Sequence, residues 1–132
     1  MKHYNVVAAV VCHDSKYLCM QKGKTKFEYT SYKWEFPGGK IEPGETPQQA
    51  LARELMEEME YPVEVGEELV TVNHEYPDFS ITMTAFLCTP KGDADGFKRR
   101  EHADSKWCCK DELKGLNWAA ADVGVVGSIL QD

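Results

Sequence analysis

Glu54, Glu57 and Glu58 stand at positions i, i+3 and i+4. On a helix, side chains at that spacing share one face. Like charges held so close repel one another and weaken the helix. Arg53 is adjacent, but one guanidinium cannot neutralise three carboxylates. A divalent cation can. Mg²⁺, with Mn²⁺ as a substitute, takes carboxylate oxygens, keeps several waters and shares its shell with substrate phosphates. The plain alternative is a solvated, Glu-rich face, and the flanking residues decide between the two.

Those flanking residues read as machinery for placing the glutamates. Thr46 is a good N-cap, Pro47 suits the first helical position and Gln49 completes a capping box. Ala50, Leu51 and Leu55 form the apolar stripe, and Pro62 ends any continuation. Before the helix, Pro37-Gly38-Gly39-Lys40 makes a compact loop. Its glycines allow close backbone approach. The loop can aim a carbonyl, such as that of Gly38, at a metal, and Lys40 offers a charge to a phosphate.

The rest of the chain reads as strands and turns. Val6–Cys12 and Tyr17–Gln21 suggest a hairpin turning at Asp14-Ser15. Residues 23–33 look like a loop, and Trp34-Glu35-Phe36 is a short extended piece. Val63–Val72 and Phe79–Leu87 are further strands, joined by the turn Tyr76-Pro77-Asp78. Residues 91–96 form a Gly/Asp loop. Trp107-Cys108-Cys109 suits a last strand. Asp122–Leu130 suits a C-terminal helix, weakened by Gly124 and Gly127. This mixture predicts one α+β domain over residues 1–132, a mixed sheet between helices.

Composition removes several functions. With 132 residues, 42% hydrophobic and 28% charged, the chain suits one soluble globular domain. Its net charge of -7 argues against binding a nucleic acid polymer. A small phosphorylated substrate remains compatible, because a bound cation reverses the local sign. Five cysteines without a C-x-x-C pair speak against a disulfide framework and a structural zinc site. Reduced cysteines fit a cytoplasmic protein. The N-terminal apolar run of seven residues, Val6–Cys12, is too short to span a membrane.

The spacing is a stronger signal than the residue types alone. Gly39 is followed after five residues by Glu45, after seven more by Arg53-Glu54, then by Leu55, one residue and Glu57-Glu58. A given residue type fills a fixed site roughly once in 15, so six agreeing positions arise by chance on the order of once in ten million placements. The string resembles the Nudix box, G-x5-E-x7-R-E-U-x-E-E-x-G-U, where U is bulky and apolar. One position departs: Glu60 stands where the pattern has its closing Gly, with Tyr61 after it. That leaves the geometry of the helix exit open. Residues 34–42, the Tyr76-Pro77-Asp78 turn and the tail from Leu116 to Val126 resemble the MutT-like branch and its bacterial CTP-directed members.

The resemblance implies a Nudix-type α/β/α sandwich and a Mg²⁺-dependent pyrophosphohydrolase. Its substrate would be a nucleoside triphosphate, and its products a nucleoside monophosphate and pyrophosphate. Such an enzyme serves nucleotide pool sanitisation as a monomer or homodimer. By resemblance, Glu54, Glu57 and Glu58 are metal ligands, the Gly38 carbonyl joins them, and Arg53 with Glu45 fixes the catalytic helix. Glu101, from a late loop, is a further ligand or the base that activates water. Its neighbour His102 has a suitable pKa for proton transfer but, as a lone loop histidine, is expected to be solvated. Lys22 and Lys40 are candidates to meet phosphates.

Base recognition needs an aromatic surface and one or two polar groups. Tyr76, Phe79 and Trp34 are the aromatic candidates. The resemblance points to Asp122 at the start of the last helix as the polar reader, with Asn117 as the fallback. An ionised Asp122 only accepts hydrogen bonds, which favours an exocyclic amine; a simple N-cap is its plainer role. Two other functions remain open: hydrolysis of ADP-ribose or a dinucleoside polyphosphate, and a non-catalytic nucleotide-binding module. Retention of all three glutamates argues against the latter.

Overall fold

The computed structural model describes residues 1–131. Seven strands form one mixed sheet: β1 (Lys2–His13), β2 (Lys16–Lys22), β3 (Trp34–Glu35), β4 (Gly38–Lys40), β5 (Val63–Glu75), β6 (Phe79–Pro90) and β7 (His102–Cys108). The helices are α1 (Pro47–Met59), a short α2 (Lys110–Leu113) and α3 (Ala120–Gln131).

The order β3-β2-β1-β6-β5 makes β1 central. It runs parallel to β6 from Lys2↔Phe79 to Val11↔Cys88 and antiparallel to β4 and β2. Both faces of β1 are covered, which explains its unbroken apolar run. Val7, Ala9 and Val11 pack with Ala50, Leu51, Leu55 and Met59 of α1. Ala8 and Val10 pack with Ala121, Val125 and Ile129 of α3. The layers are therefore helix, sheet, helix, in an α+β fold.

Local sequence fixes most elements. Thr46 accepts from the Gln49 N–H and the Gln49 side chain accepts from the Thr46 N–H, so the expected capping box forms. Asp14 and Ser15 both adopt positive φ, the geometry of a tight hairpin turn. Three expectations need correcting. Strands β1, β5 and β6 extend into polar ends, because backbone pairing continues where burial stops. The last strand begins at His102, well before Trp107, and Cys109 instead leads into α2. The C-terminal helix starts at Ala120, so Asp122 lies in its first turn and is not its N-cap. Gly124 has a packing reason: a Cβ there would lie 2.9 Å from a Val72 methyl. All five cysteines are free thiols. Among the described residues no helix is long and apolar enough to cross a membrane.

Candidate active site

Helix α1 buries Ala50, Leu51, Leu55 and Met59 against the sheet, and this directs its glutamates to the other side. Arg53 organises them. Its Nε donates to Glu45 Oε2 at 2.6 Å and its Nη2 to Glu45 Oε1 at 2.9 Å, a bidentate pair. Nη2 also reaches the Lys40 carbonyl, while Nη1 reaches Glu54 at 3.1 Å and Glu57 at 3.0 Å. Both members of the Arg53–Glu45 pair are mostly covered. Arg53 hydrogen bonding therefore holds the Glu45 carboxyl below the usual carboxylate range. This pair locks the loop before α1 onto the helix.

The two glycines of that loop are sterically required. A Cβ on Gly38 would lie 1.9 Å from the Val7 carbonyl oxygen, so β4 fits beside β1 only as glycine. A Cβ on Gly39 would lie 2.4 Å from the Glu54 carboxyl carbon. Gly39 is the gap into which that carboxylate fits.

Glu58 is the most perturbed carboxylate of the helix. Burial first, then the charge and hydrogen bond of Glu54, then the charges of Glu35 and Glu101, push it up to about 8. Three carboxylates thus act on Glu58, which with Glu35 and Glu101 lines one end of a cleft of about 1330 Å³. Glu35 is a member that sequence reasoning missed. It meets Lys22 Nζ at 3.5 Å and His102 Nε2 at 3.0 Å. His102 is not solvated: its side chain is 5% exposed at the start of β7. Burial would lower the Lys22 pKa, but Glu35 and then Asp122 outweigh it and keep the ammonium charged.

Aromatic groups form the other end of the cleft, with the carboxyls of Asp122 and of Asp78, which accepts from the Tyr29 hydroxyl at 2.7 Å. Tyr76 is buried, with its ring stacked on Phe79 at 4.8 Å and on Tyr29 at 5.8 Å. Its hydroxyl accepts from the Ala121 N–H at 3.1 Å, next to Asp122. Asp122 is 5% exposed, and its Oδ1 accepts from the Phe36 N–H at 3.0 Å. Burial first, then the Glu35 charge, push it up to about 8 against that N–H and Lys22. Burial thus favours the protonated form of Asp122, which can donate as well as accept, where the sequence alone suggests a purely accepting carboxylate. Phe27 and Thr30, from the 23–33 loop, also line this end.

Among the described residues, no three carboxylate, imidazole or thiol groups stand as a ready-made metal cage. The donor chemistry still fits a hard cation. The charge of Glu54 favours a proton on Glu58. A divalent ion satisfies the same oxygens without that proton.

Comparison with known proteins decides the family. The NUDIX domain model matches residues 1–125. The chain belongs to the NUDIX hydrolase family. It is 33% identical over 131 residues to the CTP pyrophosphohydrolase of Escherichia coli, covering 98% of this chain and 93% of that one. Over 88 residues it is 41% identical to the 8-oxo-dGTP diphosphatase of Proteus vulgaris, covering 67% of this chain and 78% of the relative. Among solved structures, the E. coli ORF135 protein superposes with a TM-score of 0.82 at 31% identity, covering 99% of this chain and 91% of that one. A MutT protein of the NUDIX family from methicillin-resistant Staphylococcus aureus gives 0.73 at 36% identity, covering 99% and 98%.

The NUDIX fold brings most of the expected residues into one cleft. Lys22, Gly38, Lys40, Glu58, Tyr76, Phe79, Glu101 and Asp122 all line it, together with Gly39 and Glu35. Glu45, Arg53, Glu54 and Glu57 stand beside the lining rather than in it, joined to one another through Arg53, and two aromatic or base-reading candidates lie elsewhere. Trp34 pairs its backbone with Trp118 and packs into the core on the α3 side. Asn117 is exposed and uses its carbonyl to accept from the Trp34 N–H. Glu60, at the NUDIX box's closing Gly, takes the left-handed conformation a glycine would take, at φ 48 and ψ 42. The helix exit is thus kept despite the substitution.

Proposed function

We propose that this chain is a Mg²⁺-dependent nucleoside triphosphate pyrophosphohydrolase, releasing a nucleoside monophosphate and pyrophosphate. One observation carries the reading: a single cleft has crowded carboxylates at one end and a buried aromatic surface with Asp122 at the other. The first end suits a triphosphate with its cation, and the second suits a base.

Glu54, Glu57 and Glu58 hold the cation, with Glu101 and the Gly38 carbonyl as further ligands. When bound, Mg²⁺ neutralises phosphate charge and acidifies a coordinated water. Arg53 and Glu45 keep α1 and its loop in register, so the carboxylates need no rearrangement at each turnover. Lys22 stays cationic beside Glu35 and faces the phosphates. Lys40 offers a second charge, with its Nζ now 4.1 Å from the centre of the Tyr4 ring. Tyr76 and Phe79 provide the stacking surface for the base.

Protonated Asp122 donates to a ring nitrogen or carbonyl of the base; once ionised it accepts from an exocyclic amine. Relatives named for CTP and for 8-oxo-dGTP point to cytidine or oxidised nucleotides as substrates, in nucleotide pool sanitisation. A pyrophosphate-release screen tests this, with canonical, methylated and oxidised triphosphates and ADP-ribose, with and without Mg²⁺. Metal-dependent pyrophosphate release from a triphosphate is expected. Release of orthophosphate, or turnover indifferent to divalent cations, overturns the assignment.

A further inference from the structure

The last carbonyls of any helix lack partners within it. In α1, the Met59 carbonyl accepts from the Lys98 N–H at 2.8 Å. The Glu57 carbonyl accepts from Arg100 Nη1 at 3.2 Å. The stretch that meets these orphans therefore runs directly into Glu101. Glu60 then adds its side chain to the same contact. Its Oε2 accepts from Arg100 Nη2 and pairs with Lys98 Nζ at 3.1 Å. A glycine, the residue of the family pattern at this position, has no side chain with which to make either contact.

We propose that Glu60 is a positioning residue, whose carboxylate fastens residues 98–100 to the end of α1 and thereby sets where Glu101 stands relative to Glu58. The inference rests on the reading above that Glu101 serves the carboxylate centre. Glu101 follows Arg100 directly, so its Cα lies one peptide, about 3.8 Å, from the clamped residue. Isolated surface ion pairs contribute little. Here one carboxylate gathers two cations whose segment is also held by two bonds to helix carbonyls. The strained left-handed backbone at Glu60 is thus retained with a side chain that glycine could not replace.

The test separates the side chain from the backbone. Glu60→Gln removes the charge, and Glu60→Gly also relieves the backbone. Hydrogen exchange of amides 98–102 in metal-free protein should quicken about three- to tenfold in both variants, the loss of a modest tether. The Tm of Glu60→Gly should equal or exceed that of the parent, because glycine suits the left-handed conformation. Titration with Mn²⁺ alone, followed by water-proton relaxation, should show affinity weakened about three- to tenfold by Glu60→Gln. The same change in a Glu101→Gln background should have no further effect. Unaltered exchange overturns the proposal, as does an equal loss of Mn²⁺ affinity with Glu101 already removed. Loosened exchange and weakened Mn²⁺ binding in a protein that hydrolyses no triphosphate would sustain the tether and remove the proposed function instead.

Discussion

Helices α1 and α3 cover opposite faces of one sheet, and each delivers a carboxyl group with a pKa near 8 to the same cleft. They reach that value differently. Glu58 owes it to burial together with three other carboxylates, Glu54, Glu35 and Glu101. Asp122 owes it first to its deeper burial and then to the single charge of Glu35, softened by the Phe36 N–H and by Lys22. A cluster of like charges is relieved by a cation, whereas a buried carboxyl facing one such charge is relieved by a hydrogen-bonding partner. The contrast teaches that a shared pKa conceals separate tasks, one suited to metal and phosphate and the other to a neutral base.

The sharpest break of this contrast falls on α1. Glu57→Gln should lower pyrophosphate release about a hundredfold or more, since metal polarisation supplies several kcal/mol of transition-state stabilisation. Its Tm should hardly change, because Glu57 is 60% exposed. Full turnover in this variant would remove Glu57 from the ligand set. Gly39→Ala should act next most strongly. The added methyl meets the Glu54 carboxyl group, so turnover should fall about tenfold or more, with a stability loss of about 1–3 kcal/mol from overpacking. A fully active Gly39→Ala enzyme would show that Glu54 has no fixed station.

The smallest effect sharpens the comparison through pH. A carboxyl with a raised folded-state pKa gives its full contribution below its unfolded value and loses it as pH rises toward the folded value. Asp122 spans about pH 4 to 8 in this respect, from an ordinary value of 3.8. Chemical denaturation should therefore show Asp122→Asn gaining stability relative to the parent across that window. Glu58 has the same sign, from 4.5 to about 8. Added Mg²⁺ should accordingly stabilise the parent more at pH 8 than at pH 6, and should do so equally in Asp122→Asn. Loss of the Mg²⁺ effect in Asp122→Asn would show that the two ends are not separate.

Legibility in the sequence followed locality. The start of helix α1 was readable because its cap, first-turn proline and apolar stripe are local signals, whereas its exit at Glu60 was not. The Arg53–Glu45 pair was implied by the resemblance to the NUDIX box, and its bidentate contact bears this out. Glu35 was not singled out, since its three-residue segment carries no period of its own. Strand alternation held a clue: Trp34 and Phe36 pack on the α3 side, so the residue between them points elsewhere. His102 looked like a loop residue because β7 is largely polar; only its pairing with Lys22 reveals a strand. The ionisation of Asp122 was unreadable, because burial by α3 and the Phe36 N–H comes from parts of the chain distant in sequence.

The parallel pairing of β1 with β6 has a consequence for how this protein comes into being. Its contacts join residues as far apart as His3 and Ser80, separated by 77 positions. Closing so large a loop costs entropy before any local reward is gained, and such topologies fold slowly. The cleft walls arise on both sides of that closure, with Glu54 and Glu58 preceding β6 and Glu101 and Asp122 following it. A chain still emerging from synthesis would hold its glutamate helix early, yet have nowhere to seat a nucleotide until nearly its whole length had assembled.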